Sequence, residues 1–163
     1  MNDPRPSDRE AAALLQEQRW AALSTVADGV PEGSMVAYAL APGGAGLLFF
    51  LSGLAAHARN LAADPVAALA VTAPDIGEGD PQLLPRLGLT GRVEMVDRRE
   101  MRFGPLWQNY VEWFPWAAPR LGLGDFNLFL FVPTECRYVG GFARARTIPW
   151  ERLRSVLGPG EVG

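Results

Sequence analysis

The chain of 163 residues contains no lysine, and all fifteen of its basic residues are arginines. That excludes Schiff-base formation and nucleophilic catalysis by a lysine amine. The single cysteine, Cys136, cannot form an internal disulfide, and one cysteine with one histidine, His57, is too few for a typical zinc site. No metal is expected. Long apolar runs are missing too: "GLLFFLSGLAA", from Gly46, reaches half of the ~20 residues that a membrane helix needs. The start, "MNDPRPSDRE", lacks the apolar segment of a secretory signal. Both absences point to a cytoplasmic protein with no membrane partner. A formal charge of −3, without a basic block, argues against a nucleic-acid partner.

What is present is the composition of a globular protein, 48% hydrophobic and 20% charged. The length suits one domain over residues 1–163, with residues 1–10 as a disordered start and 150–163 as a tail. A helix is expected from Asp8. "AALSTVADGVPEGSMVAYAL" reads as two strands joined at Asp28-Gly29, a pair suited to the positive φ of a tight hairpin. "LLFFLS", "VAALAVTA", "LLPRLGLTGRVEMV" and "FNLFLFVPTECRYVGGFA" add four strands, the last bent at Pro133. Helices are expected at 54–63 and from Asp97 to Val111, with an irregular "EWFPWAAPRLGLGD" after them. Six strands with short helices fit a closed or nearly closed antiparallel barrel.

One stretch raises a chemical question. In "LSGLAAHARNLAADP", residues 51–65, a strand ending at Ser52 runs into a short helix carrying His57 and Arg59. Free backbone N–H groups at a helix start, a hydroxyl donor and two nitrogen-bearing side chains would suit a phosphate. The same residues also describe an ordinary capped helix with solvated polar side chains. Local chemistry leaves both readings open.

The order of elements from Trp20 to Ile148 resembles the pyridoxamine-phosphate-oxidase-like FMN-binding split barrels, and among them the haem-utilisation (HugZ-like) branch. The resemblance rests on "GSMVAYAL", a following strand ending in Ser, the helix "AAHARNLAADP", the strand "VAALAV" and the ending "FNLFLFVPTECRYVGGFARARTI". Its most specific pieces are "NL…DP" and "GGFARA". It implies a mainly β, α+β fold, a six-stranded antiparallel split β-barrel with short flanking helices, and FMN as cofactor. Ser34, Met35 and Val36 would lie along the isoalloxazine, with Ser34 standing where the family often has arginine. Leu51 and Ser52 would meet the ribityl chain or phosphate, and His57, Arg59 and Asn60 would hold the phosphate. Arg86 would face the flavin pyrimidine, where a cation stabilises the reduced ring. Phe142, Arg144 and Arg146 would shape the side where a small-molecule acceptor binds, the two arginines alternating with alanines and so sharing one side of an extended segment.

The resemblance also implies a homodimer with the flavin between two barrels, its pocket walled in part by rings such as Trp107, Trp113 and Trp116. Two departures narrow it. Ala39 replaces the lysine that grips substrate phosphate in the true oxidases, and nothing after "GGFARARTIPWERLRSVLGPGEVG" matches the haem-branch extension that carries a ligating histidine. Three readings therefore stand: an FMN-dependent oxidoreductase, a haem-binding or haem-utilisation protein, and a non-catalytic flavin-binding or interaction barrel.

Overall fold

The computed structural model describes residues 3–142 and 144–158. Helix α1 (Pro6–Glu17) leads into β1 (Trp20–Ala27) and β2 (Val30–Ala37). Asp28 and Gly29, at φ 51° and 77°, make the hairpin that the sequence predicts between them. After Tyr38 come a two-residue strand β3 (Ala39–Leu40), a 3-10 turn and β4 (Leu47–Ser52). Then follow α2 (Ala56–Ala63), β5 (Val66–Thr72), β6 (Arg86–Val96) and α3 (Phe103–Trp113). The proline-rich segment Pro115–Leu123 winds as 3-10 turns before β7 (Phe126–Val139), β8 (Ala145–Pro149) and α4 (Trp150–Leu157). The strands form one antiparallel sheet in the order β2-β1-β5-β6-β7-β4-β3, with β8 also on β7, curled into a split barrel.

The described residues form eight strands rather than six. The expected second strand breaks at Tyr38, whose N–H bonds the Arg19 carbonyl at 3.0 Å and whose buried hydroxyl donates to the Leu15 carbonyl at 3.0 Å. The chain leaves β1 there and pairs with β4 instead. The other addition, β8, pairs with the last five residues of β7, while β4 takes the first six. The bend expected at Pro133 lies between these halves. Gly91 pairs with Pro133 and Thr90 with Glu135, so Thr134 is an extra residue whose hydroxyl donates to the Thr90 carbonyl at 3.1 Å. Only glycine fits opposite, because a Cβ on Gly91 would collide with the Val132 carbonyl.

Alternation puts Leu23, Leu69, Leu89, Phe49 and Phe131 inside the barrel, all essentially inaccessible. β4 is buried on both faces, which is why it reads as an unbroken apolar run. Its Leu48 and Phe50 face a second core with Leu106 and Tyr110 of α3, and Trp107 lies with its ring centroid 4.7 Å from that of Phe50. Trp113 and Trp116 stay exposed. The third helix starts at Phe103 rather than Asp97, because the Asp97 and Glu100 carboxylates bond backbone N–H groups and hold a turn there.

Two ends expected to be loose carry helices. α1 begins at Pro6, inside the stretch read as disordered, and Trp150–Leu157 is helical, inside the stretch read as a tail. The cause is mutual packing: Trp150 and Leu153 are buried in the same core as Ala11, Leu14 and Leu15. Asp8, only 2% exposed, accepts from Arg152 Nε at 2.6 Å and from the Arg5 N–H at 3.0 Å. Residues 1–2 and 159–163 lie outside the described residues. Among the described residues no helix is long and apolar enough to cross a membrane.

Candidate functional site

The structure brings Ser52, His57, Arg59 and Asn60 together around the start of α2, beside β1 and β2, and commits most of them to neighbours within the chain. The Ser52 hydroxyl donates to the Asp125 carboxylate at 2.6 Å and accepts the Leu54 N–H at 3.2 Å. Asn60, 9% exposed, donates through its amide to Thr25 Oγ1 and to the Glu32 carboxylate, both at 3.0 Å. Arg59 folds back onto the Leu54 carbonyl. Burial lowers the His57 pKa from its ordinary 6.5, outweighing the opposing pull of Glu32.

Toward the FMN phosphate that the resemblance places here, the region offers one exposed guanidinium beside two carboxylates. The Ser52 hydroxyl and the Asn60 amide already serve Asp125, Thr25 and Glu32, and the two carboxylates oppose a dianion, which leaves the exposed Arg59 guanidinium as the cation on this helix. The side chains of Leu51 and Val36, 7% and 2% exposed, point into the barrel core, so any contact they make with a ligand is through their backbone groups. Met35 faces solvent from the edge strand. Ser34 differs from both, since its Oγ is buried without a hydrogen-bond partner.

A second assembly lies on β6, β7 and β8. Arg86 at the start of β6, Arg137 and Val139 on β7, and Phe142 and Arg144 beyond it line a cleft of about 650 Å³ with Leu83 and Leu87. Arg86 is held in place by Nη1, which donates to the Gln82 and Leu84 carbonyls at 2.7 and 3.3 Å. Arg137 is exposed and makes no hydrogen bond or ion pair with the other described residues. Arg144 reaches back to Glu10, with Nη2 at 3.0 Å from both carboxylate oxygens. Phe142 is 87% exposed over the cleft. Three guanidinium groups beside an apolar wall suit a flat ligand with acidic substituents.

The expected acceptor group is therefore split. Phe142 and Arg144 line this cleft, whereas Arg146 pairs across from Tyr138 and faces the α1 side of the sheet. The reading of the sequence missed Arg137, Asp125 and Glu32. Arg137 had a signal, since it alternates with the apolar Cys136 and Tyr138 just before "GGF". Asp125 and Glu32 had none, because their partners Ser52 and Asn60 are 73 and 28 residues away.

No curated protein matches the sequence closely enough to count as a relative. Among solved structures, a heme binding protein from Mycobacterium smegmatis is 28% identical with a TM-score of 0.82, the match covering 95% of this chain and 62% of that one. The chain thus spans about three-fifths of that protein's length. HutZ, the heme storage protein of Vibrio cholerae, is 26% identical with a TM-score of 0.68, over 76% of this chain and 87% of that one. An FAD-binding protein from Mesorhizobium loti, 18% identical with a TM-score of 0.60 over 78% of this chain and 89% of its own, shares the fold. The pyridoxamine 5'-phosphate oxidase family matches residues 7–140, which takes in every strand except β8 and the whole α2 region. With the split barrel and that match together, the chain belongs to the pyridoxamine 5'-phosphate oxidase family.

Proposed function

We propose that this protein is a haem-handling barrel that binds a planar tetrapyrrole with two carboxylate arms in the arginine cleft. The observation that carries the reading is the cleft itself, where Arg86, Arg137 and Arg144 edge an apolar wall of Leu83, Val139 and Phe142. A porphyrin ring would lie on the apolar wall and its propionates would meet the guanidinium groups, which pair with carboxylates in bidentate fashion. The likeness to the heme binding protein of Mycobacterium smegmatis and to HutZ supports it. None of the described residues lining the cleft is a histidine, cysteine, methionine or tyrosine. Recognition then rests on ring and propionates, with no axial ligand from the cleft.

This has a measurable consequence. Iron-free protoporphyrin IX should bind within a few-fold of haemin in absorbance titrations. FMN should bind at least about tenfold more weakly than haemin, because the α2 region offers a dianion a single guanidinium, Arg59, beside the Asp125 and Glu32 carboxylates. Failure of both porphyrins to bind removes the reading.

The alternative is an FMN-dependent oxidoreductase, and one observation favours it: the buried, unpartnered Ser34 Oγ on the strand that would run along the isoalloxazine. Tight FMN binding in the same titrations, with Ser34→Ala weakening it, would establish flavin in place of haem.

A homodimer is part of the proposal under either ligand. Trp20 and Met35 are exposed near the β2 edge of the sheet, and Val66 and Met95 are exposed on its other strands. The resemblance to a family in which two barrels pair supports the dimer, and Trp20 and Met35 are apolar side chains left open beside that edge. Sedimentation at low micromolar concentration should give twice the chain mass, and a monomer under those conditions would remove the dimer.

A further inference from the structure

A separate cavity of about 750 Å³ opens between the start of α1 and the β7–β8 hairpin. Three arginines line it, Arg5 from the residue before α1 and Arg144 and Arg146 from the β8 side, together with Ser7, Thr147 and Tyr138. Arg146 points there because it pairs with Tyr138, whose ring lies on the α1 side of the sheet and whose hydroxyl bonds Glu10. Strand register and helix packing thus converge cations that are about 140 residues apart in the chain.

The negative groups around this cavity are already engaged. Glu10 accepts from Tyr138 Oη and from Arg144 Nη2, each at 3.0 Å. Asp8 is buried against Arg152. The side chains of Arg5 and Arg146 make no hydrogen bond or ion pair with the other described residues. Ser7 Oγ is buried without a partner. In a chain with net charge −3, this leaves a pocket with surplus positive charge and an unused hydroxyl donor.

We propose that this cavity is a binding site for a small organic phosphate or pyrophosphate, held by the Arg5 and Arg146 guanidinium groups with Arg144 at its edge and Ser7 as a hydroxyl donor. Guanidinium forks match the oxygens of a phosphoryl group, and a phosphoryl dianion balances more than one arginine at once. Arg144 borders both sites, whereas Arg5, Ser7 and Arg146 take no part in the tetrapyrrole cleft, so substitutions at these three test the site separately from the haem reading.

The test is calorimetric titration of the full chain with inorganic pyrophosphate and with phenyl phosphate at low ionic strength. Saturable binding is expected with both. Arg146→Ala and Arg5→Ala should each weaken it about tenfold, and Ser7→Ala by a smaller factor. Arg92→Ala removes the same charge from an exposed position on β6 and should leave affinity unchanged. Haemin titration of the Arg146→Ala protein should match the wild type. Absence of saturable binding in the wild type, or an equal loss in Arg92→Ala and Arg146→Ala, would overturn the proposal. Both arginines are exposed, so unchanged thermal unfolding is expected and would confirm that any loss is local.

Discussion

Replacing Arg152 by leucine is expected to lower stability by about 3 kcal/mol, because it leaves the Asp8 carboxylate buried with no counter-charge but the neighbouring Arg5. In a chain of this length that is a fall of roughly 6–12 °C in the thermal midpoint. Asp8→Ala should cost less. The two partners differ in exposure, 2% for the Asp8 side chain and 28% for that of Arg152, so a widowed guanidinium can reach water and a widowed carboxylate cannot. The double variant Asp8→Leu with Arg152→Leu should recover much of the loss, since an apolar pair removes both desolvation costs.

The pair also gives stability an acid limit. Burial pushes the Asp8 pKa up, but the hydrogen bonds from Arg152 and the Arg5 N–H, with the charges of both arginines, outweigh it and hold the carboxyl below its ordinary 3.8. A group with a lowered folded pKa contributes fully above its unfolded pKa and loses that contribution as pH falls through the folded one. The difference between wild type and Arg152→Leu should be full at pH 7 and shrink below about pH 4. Denaturant midpoints across that range measure it, and a gap independent of pH would show that the pair is not the cause.

The second large effect concerns the cleft. Arg137→Ala should weaken porphyrin binding about tenfold, and Arg86→Ala with Arg137→Ala about a hundredfold, which corresponds to one charge-assisted hydrogen bond per arginine. Arg137 is the more informative of the two, because Arg86 also secures the Gln82–Leu84 turn and its loss shifts the wall as well as the charge. Protoporphyrin dimethyl ester, which lacks free carboxylates, should bind weakly to wild type and be indifferent to both substitutions. If the ester binds as well as the acid, the arginines do not read the propionates, and the proposed orientation is wrong.

Much of the barrel is legible along the chain because its cause is local. Asp28-Gly29 dictates a tight hairpin wherever it stands between two apolar runs. Alternation in β1, β5 and β6 announces one buried and one open face, and the unbroken "LLFFL" announces a strand covered on both. Pro133 stands next to the bulge in β7, where Thr134 is the extra residue, in keeping with the placing of proline at irregular points of a strand. The missing β8 is a different matter: "ARTIP" is short and polar, and it is a strand because the second half of β7 offers it a free edge. The two terminal helices are likewise products of each other, since their apolar residues have a core to enter only when both are in place.

The site divides along the same line. The sequence by itself determined which residue types were on hand, arginine without lysine and one histidine, and it placed Ser52, His57, Arg59 and Asn60 around one short helix. Tertiary structure decided what those groups are free to do. Asp125, from a loop 73 residues beyond Ser52, and Glu32, from a strand 28 residues before Asn60, arrive to take the donors that looked ready for a phosphate. Burial then lowers the pKa of the histidine that looked ready to join them. The same folding leaves Arg137 without a described partner and sets it beside Arg86, some fifty residues earlier. Which charges remain unpaired depends on which distant chain segments meet, and electrostatic interactions a few ångströms long cannot be read from spacing along the chain.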